Sequence, residues 1–140
     1  MSQKQISLLT QPITLPCGVT LKNRIAKSAM SDSLGDGAGN PTDDQIRLYE
    51  RWANGGLALS IIGEVQGTHH FAEKPGNLIL DNQSDRDLLN CLAEAGATAG
   101  AQLWLQLGHA GAMADAGIST AKHGNVVLNQ MAPRRDDKPF

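Results

Sequence analysis

The chain has 140 residues, 41% of them hydrophobic and 19% charged, with a formal net charge of −2. That length and balance describe one globular domain and exclude a disordered chain. They give no pull toward nucleic acid or an anionic membrane, and the few scattered aromatics (Tyr49, Trp52, Phe71, Trp104, Phe140) build no base-stacking surface.

The two cysteines, Cys17 and Cys91, are too few for a disulfide framework and sit in no metal-ligand spacing. The opening MSQKQISLLTQPITLP lacks the apolar run of a signal peptide. No stretch approaches the roughly 20 apolar residues of a membrane span. A cytoplasmic protein is the expectation.

ITLPCGVTL, from Ile13 to Leu21, is two β-prone runs around Pro16-Cys17-Gly18, the signal of a hairpin. RIAKSAM, from Arg24 to Met30, is a third short strand. SDSLGDGAGNPTDD follows as a loop, rich in Gly, Asp and Ser. Thr42 and Gln45 then form a T-x-x-Q capping box, in which the Thr hydroxyl accepts an amide and Gln reaches back. Asp43 and Asp44 add negative charge where the helix dipole is positive. The helix carries Ile46, Tyr49 and Ala53 on one face and stops at Asn54-Gly55-Gly56.

LALSII, from Leu57 to Ile62, is almost continuously apolar, as in a parallel strand buried on both faces. Gly67 to Asn82 reads as a long, mostly polar loop. Ser84 is placed to cap a second helix with Leu88, Leu92, Ala95 and Ala99 on one face, ending at Gly100. In AQLWLQLGHAGA, from Ala101 to Ala112, Ala101, Leu103, Leu105 and Leu107 share one face and Gln102, Trp104 and Gln106 the other. The order is hairpin, β, α, β, α, β, which implies right-handed crossovers and a parallel sheet. From Gly108 onward no periodicity is evident. Three parallel strands leave both sheet edges open, so the chain reads as the front of something larger. A (β/α)8 barrel takes roughly 250 residues.

In such folds the ligand lies beyond the carboxyl ends of the strands. Ser28-Ala29-Met30-Ser31, Gly63-Glu64-Val65 and Gln106-Leu107-Gly108-His109 meet there. With the leucine face turned to helices, Gln106 points inward near the top, where its amide could pair with a planar polar ligand or with backbone groups of a neighbouring strand. His109 reads as a hydrogen-bonded loop histidine rather than a catalyst. His69 and His70 are expected to be solvent-exposed, since adjacent strand residues point apart. Ser28 and Ser31 have no recognisable triad partners. Glu64 could act as acid or base, or be salt-bridged. The glycines of GDGAGN lack phosphate-loop spacing.

Taken together, LKNRIAKSAM (Leu21 to Met30), RWANGGLALSIIGEV (Arg51 to Val65) and QLGHAG (Gln106 to Gly111) resemble the amino-terminal third of the old yellow enzyme family of NAD(P)H:flavin oxidoreductases, over about Leu8 to Ala112. The resemblance implies a partial TIM barrel: a floor closed by the hairpin, then the first three strands and two helices. Residues 1–140 would be the amino-terminal portion of a single FMN-binding domain, with 113–140 an irregular tail.

The resemblance also implies roles. Ser28, Ala29, Met30 and Ser31 would contact FMN at the end of the first barrel strand. Ser31 aligns with a threonine or cysteine beside the flavin C4 carbonyl, where a donor tunes the redox potential. Val65 aligns with a small residue against the flavin, and Gln106 with the glutamine that pairs with its pyrimidine edge. Three departures blur the subfamily: Ala112 follows Gly111 where Arg is usual, Ala29 replaces a common proline, and no tyrosine closely follows Ser31. The family's substrate-binding His-His or His-Asn pair, its proton-donating tyrosine and its phosphate-binding arginines would lie beyond Phe140.

The function implied is that of an ene-reductase. Hydride passes from NADH or NADPH to FMN and on to an activated alkene such as an α,β-unsaturated carbonyl compound, with the 140-residue chain alone inactive. The partner expected is a small-molecule substrate, and a homo-oligomer is compatible with the sequence. Two other readings stand beside it: a catalytically silent half-barrel acting through association with another chain, and a different (β/α)8 enzyme sharing the strand pattern.

Overall fold

The computed structural model describes residues 7–115 and 117. Most of the expected tail at 113–140 therefore lies outside the described residues. Strands β1 (Ile13–Thr14) and β2 (Thr20–Leu21) pair antiparallel. The Thr14 and Thr20 hydroxyls lie 3.0 Å apart across the pair. Strands β3 (Ala26–Met30), β4 (Leu59–Gln66) and β5 (Gln102–Gly108) form a parallel sheet in the order β3-β4-β5. Helix α1 (Asp43–Asn54) joins β3 to β4, and α2 (Arg86–Gly96) joins β4 to β5. This is the opening of a parallel α/β barrel, as expected. Among the described residues no helix is long and apolar enough to cross a membrane.

Two apolar clusters lie on opposite sides of the sheet. At its amino-terminal edge, Leu21, Ala58 and Leu59 are buried with Ile13, Leu15, Val19 and Ile61 packed around them. The hairpin therefore seals the bottom of the face that carries Leu59 and Ile61. On the other face Tyr49, Ile62, Val65, Leu78 and Leu92 form the main core, with Ile46, Trp52, Leu103 and Leu105 against it. Burying each such side chain contributes roughly 1.5–3 kcal/mol. Gly96 lets α2 seat directly on β5, since a Cβ there would stand 2.7 Å from Leu103. Leu107 is 64% exposed, contrary to its expected place under a helix, because only a short 3-10 turn, Gly111–Met113, and no α-helix follows β5 among the described residues.

Both helix starts depart from expectation. Thr42 Oγ1 does accept from the Gln45 amide, at 3.4 Å, and it also donates to the Leu34 carbonyl at 2.7 Å. Gln45 does not reach back, however. Its side chain is buried, and Nε2 donates to both Asp32 oxygens at 2.9 and 3.0 Å. With the amide nitrogen held on Asp32, Oε1, the acceptor a capping box would offer to the Thr42 N–H, is buried without a partner, so the box is only half formed. For α2 the cap is Asp85, not Ser84: its Oδ1 accepts from Asp87 N and Leu88 N, both at 3.0 Å. Ser84 is engaged elsewhere, donating to the Ile79 carbonyl at 2.8 Å and accepting from Asp81 N at 2.9 Å. Of the expected helix face, Leu92 is buried. Ala99 lies past the helix at φ 51°, within the 3-10 turn Thr98–Gly100.

The loop expected from Gly67 to Asn82 is partly structured. It holds a 3-10 turn, His69–Phe71, and an isolated parallel bridge from Ile79 to Gln66. Leu78 and Ile79 are buried, and Ile79 N donates to the Gly39 carbonyl at 2.8 Å. A polar composition hid these two anchoring side chains.

Candidate functional site

Strand β4 runs four residues past the end of its apolar run, so Gly63-Glu64-Val65 is strand rather than loop. Its pairing with β5 shifts between Ile62 and Val65, and Glu64 takes φ +59°. Such left-handed backbone is strained for a glutamate, and bulges that carry it concentrate beside functional sites. The shift decides which side chains reach the open rim. Val65 drops into the main core, 1% exposed. Its side chain is on the helix side of the sheet, so the expectation that it lies against a ligand in the barrel mouth does not describe this geometry. Glu64 lines the cleft instead.

That cleft, about 250 Å³, opens at the carboxyl ends of β4 and β5. Glu64, Gln66, Glu73, Gln106, Leu107 and His109 border it, with Gly108 and Ala110. Gln106 is exposed there, and among the described residues nothing is hydrogen-bonded to its amide. The strand-satisfying alternative for Gln106 is therefore not what the fold shows. His109 Nδ1 accepts from Gly111 N at 2.9 Å, and its ring lies 4.8 Å from that of Phe71. It is thus the hydrogen-bonded loop histidine foreseen, set at the cleft edge.

The remaining expected residues lie along β3. Ser28 and Met30 are exposed, Met30 at 53%, while Lys27 and Ala29 alternate to the half-buried side. Ser31, just past the strand, donates to Asn77 Oδ1 at 3.2 Å and lies 3.3 Å from the Ser33 hydroxyl. Asn77 is buried, and its amide nitrogen has no close partner. Lys74 Nζ donates to Glu64 Oε2 at 3.1 Å. Burial alone would push the Glu64 pKa up. The Ser31 and Lys74 hydrogen bonds, the Lys74 charge and Asn77 outweigh it and hold the carboxyl below its ordinary value. So the salt-bridged reading of Glu64 is the one observed; Glu64 and Gln106 border the cleft, and Ser28, Ala29, Met30 and Ser31 are not among the residues that line it.

A second polar network props that rim from behind. Asp32 accepts from Gln45, from the Tyr49 hydroxyl at 3.0 Å and from Leu34 N at 3.0 Å. Lys27 Nζ donates to the Ile61 carbonyl at 2.8 Å and sits 5.0 Å from the Trp52 ring centre. Burial lowers the Lys27 pKa, with the Asp32 charge opposing. Burial, then the charge and hydrogen bond of Asp32, push the Tyr49 hydroxyl far above its ordinary value, so it stays a donor. Nothing local along the chain marks this network, because its members come from β3, the loop after it, α1 and β4, and its longer bonds span 13 to 34 residues. His69 was also misplaced: its ring bridges Asp81 at 2.8 Å and the Ala38 carbonyl at 3.0 Å, with 31% of the side chain exposed. Among the described residues no group of three metal-ligating side chains converges.

The fold and the rim define the class: the first strands of a TIM barrel with a polar cleft at their carboxyl ends. No family model matches the chain. It is 34% identical over 123 residues to an NADH-dependent flavin oxidoreductase, iliE, of Hypocrea jecorina (strain QM6a), which covers 84% of this chain and 30% of that protein. Among solved structures, a 2-naphthoyl-CoA reductase complex superposes with a TM-score of 0.73 at 26% identity, over 79% of this chain and 17% of that one. The old yellow enzyme of Trypanosoma cruzi does so at 0.70 and 20% identity, over 79% and 29%. The chain matches the amino-terminal part of the old yellow enzyme family of flavin oxidoreductases. It spans 30% of the length of the Hypocrea relative.

Proposed function

We propose that this chain forms one wall of the FMN site in an NAD(P)H-dependent oxidoreductase of the ene-reductase type. Its substrate class is activated alkenes such as α,β-unsaturated carbonyl compounds. The relatives named as NADH-dependent flavin oxidoreductases support the general reaction. The single observation that carries the site is Gln106, whose side chain is exposed, borders the cleft with Glu64 and has no hydrogen-bond partner among the described residues.

The residues present fit the group. A carboxamide offers a donor and an acceptor side by side, the complement of an imide edge. When bound, the flavin supplies the hydride chemistry. The chain's own part is to bind and orient. Gln106 fixes the rotation of the ring, Ser28 to Ser31 bound one edge of it, and the Asp32–Tyr49–Gln45 network holds that edge rigid. The floor hairpin and core keep the rim in register. A cytoplasmic location belongs to the same reading.

The test is FMN titration of the full gene product, followed by NADH oxidation with an α,β-unsaturated ketone. Gln106→Ala should weaken FMN binding by about 1–3 kcal/mol, roughly five- to 150-fold. An unchanged affinity would point to a different (β/α)8 enzyme. The silent half-barrel is favoured only by the exposed Leu107 and Met30 near the sheet edges. It predicts no flavin binding and a concentration-dependent shift to a defined oligomer.

A further inference from the structure

Each nitrogen of the His69 ring meets an oxygen that can only accept. Nδ1 lies 2.8 Å from Asp81 Oδ2, and Nε2 lies 3.0 Å from the Ala38 carbonyl oxygen. A neutral imidazole has one N–H and can satisfy only one of them. Both bonds form together only when the ring carries two protons and a positive charge. Each acceptor is fixed by bonds of its own. Asp36 Oδ1 accepts from Ala38 N at 2.8 Å and from Asn40 N at 2.9 Å, while Asp81 Oδ1 accepts from Gln83 N at 2.8 Å. The charged groups that face the ring are Asp81, from the turn before α2, and Asp36, from the loop after β3. Both are anions. The neighbouring His70, in the same turn as His69, is exposed.

His69 opens the 3-10 turn from which the cleft wall continues. The Phe71 ring lies 4.8 Å from that of His109, and Lys74 Nζ reaches Glu64 at 3.1 Å. The Ala72 carbonyl accepts from Asp115 N at 2.8 Å, and Glu73 N donates to Oε1 of the buried Gln66 at 3.2 Å. Glu64, Gln66, Glu73 and His109 all border the cleft. We propose that His69 is a positioning residue for the cleft: as an imidazolium it clasps the wall at residues 71–74 to the Ala38 loop and the Asp81 turn, and it releases that wall when one proton leaves. The neutral ring keeps a single N–H. One of the two oxygens then faces a nitrogen lone pair, and one side of the clasp opens. The cleft wall is therefore held in acid and loosened in alkali. The clasp does not depend on which ligand the cleft takes.

The experiment follows the full gene product across pH. Nitrogen NMR spectra report the protons on the His69 ring, and hydrogen exchange reports the Glu73 amide relative to an unstructured amide at the same pH. At pH 6.5, the ordinary midpoint of histidine, both ring nitrogens should carry a proton in most molecules. As pH climbs through the midpoint seen in the spectra, protection of the Glu73 amide should fall about ten-fold. Asp81→Asn should move midpoint and fall together to lower pH, and His69→Gln should leave no fall. A ring only half protonated at pH 6.5 overturns the proposal. So does protection without a step, or a step that stays in place in Asp81→Asn. If His69→Gln fails to fold, the parent spectra and Asp81→Asn decide the matter.

Discussion

The Tyr49 hydroxyl donates to Asp32 Oδ2 at 3.0 Å, tying the middle of α1 to the loop that leaves β3 at the cleft. Tyr49 is wholly buried, and its ring meets Trp52 edge-on with centres 5.0 Å apart. One side chain thus joins the core to the rim. Tyr49→Phe keeps the ring and removes the donor to a charged acceptor. The fold should lose about 1.5–3 kcal/mol, measured by urea unfolding. A loss near zero would mean that Gln45 and Leu34 N satisfy Asp32 alone.

Gly76 lies against the backbone of Ser33. A Cβ on it would stand 2.6 Å from the Ser33 carbonyl oxygen, closer than any real contact. The obstacle is main chain, which cannot swing aside. Gly76→Ala should therefore cost at least about 1–3 kcal/mol by overpacking and lower the thermal midpoint. It should also displace Asn77 from Ser31, seen as weaker FMN binding.

Leu92 is 2% exposed at the centre of the core shared by α1, α2 and the sheet. Leu92→Ala removes that filling, and about 2–5 kcal/mol should be lost in denaturant melts. The exposed Leu107, truncated in the same way, should change stability by less than about 0.5 kcal/mol in this chain.

The His69–Asp81 pair gives stability a pH dependence. The Ala38 carbonyl, then the Asp81 hydrogen bond, raise the His69 pKa above its ordinary 6.5, against the effect of burial. The charges of Asp81 and Asp36 add to the rise. The His69 hydrogen bond, then the Gln83 amide, lower that of Asp81 below 3.8. A raised histidine stabilises fully below its unfolded value and stops doing so as pH climbs through its folded one. A lowered aspartate stabilises fully above its unfolded value and stops as pH falls through its folded one. Both contributions are complete between about pH 3.8 and 6.5. His69→Asn should flatten the decline in thermal midpoint on the alkaline side of that window. A decline of unchanged slope would assign it to other groups.

Much of the architecture was legible along the chain, because it is written in local terms. The turn residues of the hairpin, the Thr42 cap, the alternation of βα units and the leucine face of β5 each depend on neighbours a few positions away. The family resemblance rested on runs of that kind. Gln106, which borders the cleft, was singled out from its place at a strand end. What failed was whatever depended on two segments meeting. Ser84 was a plausible cap until the turn at Asp81 claimed it, and Gln45 a plausible partner for Thr42 until Asp32 arrived from another loop.

The sequence by itself determined which segments are strand or helix and that the strands run parallel. Only the tertiary structure decided which residue of Gly63-Glu64-Val65 faces the cleft. A strand's two faces follow a period of two only while pairing is regular. One irregular step between Ile62 and Val65 exchanges the faces, and nothing in the residues of β4 marks where its neighbours force that step.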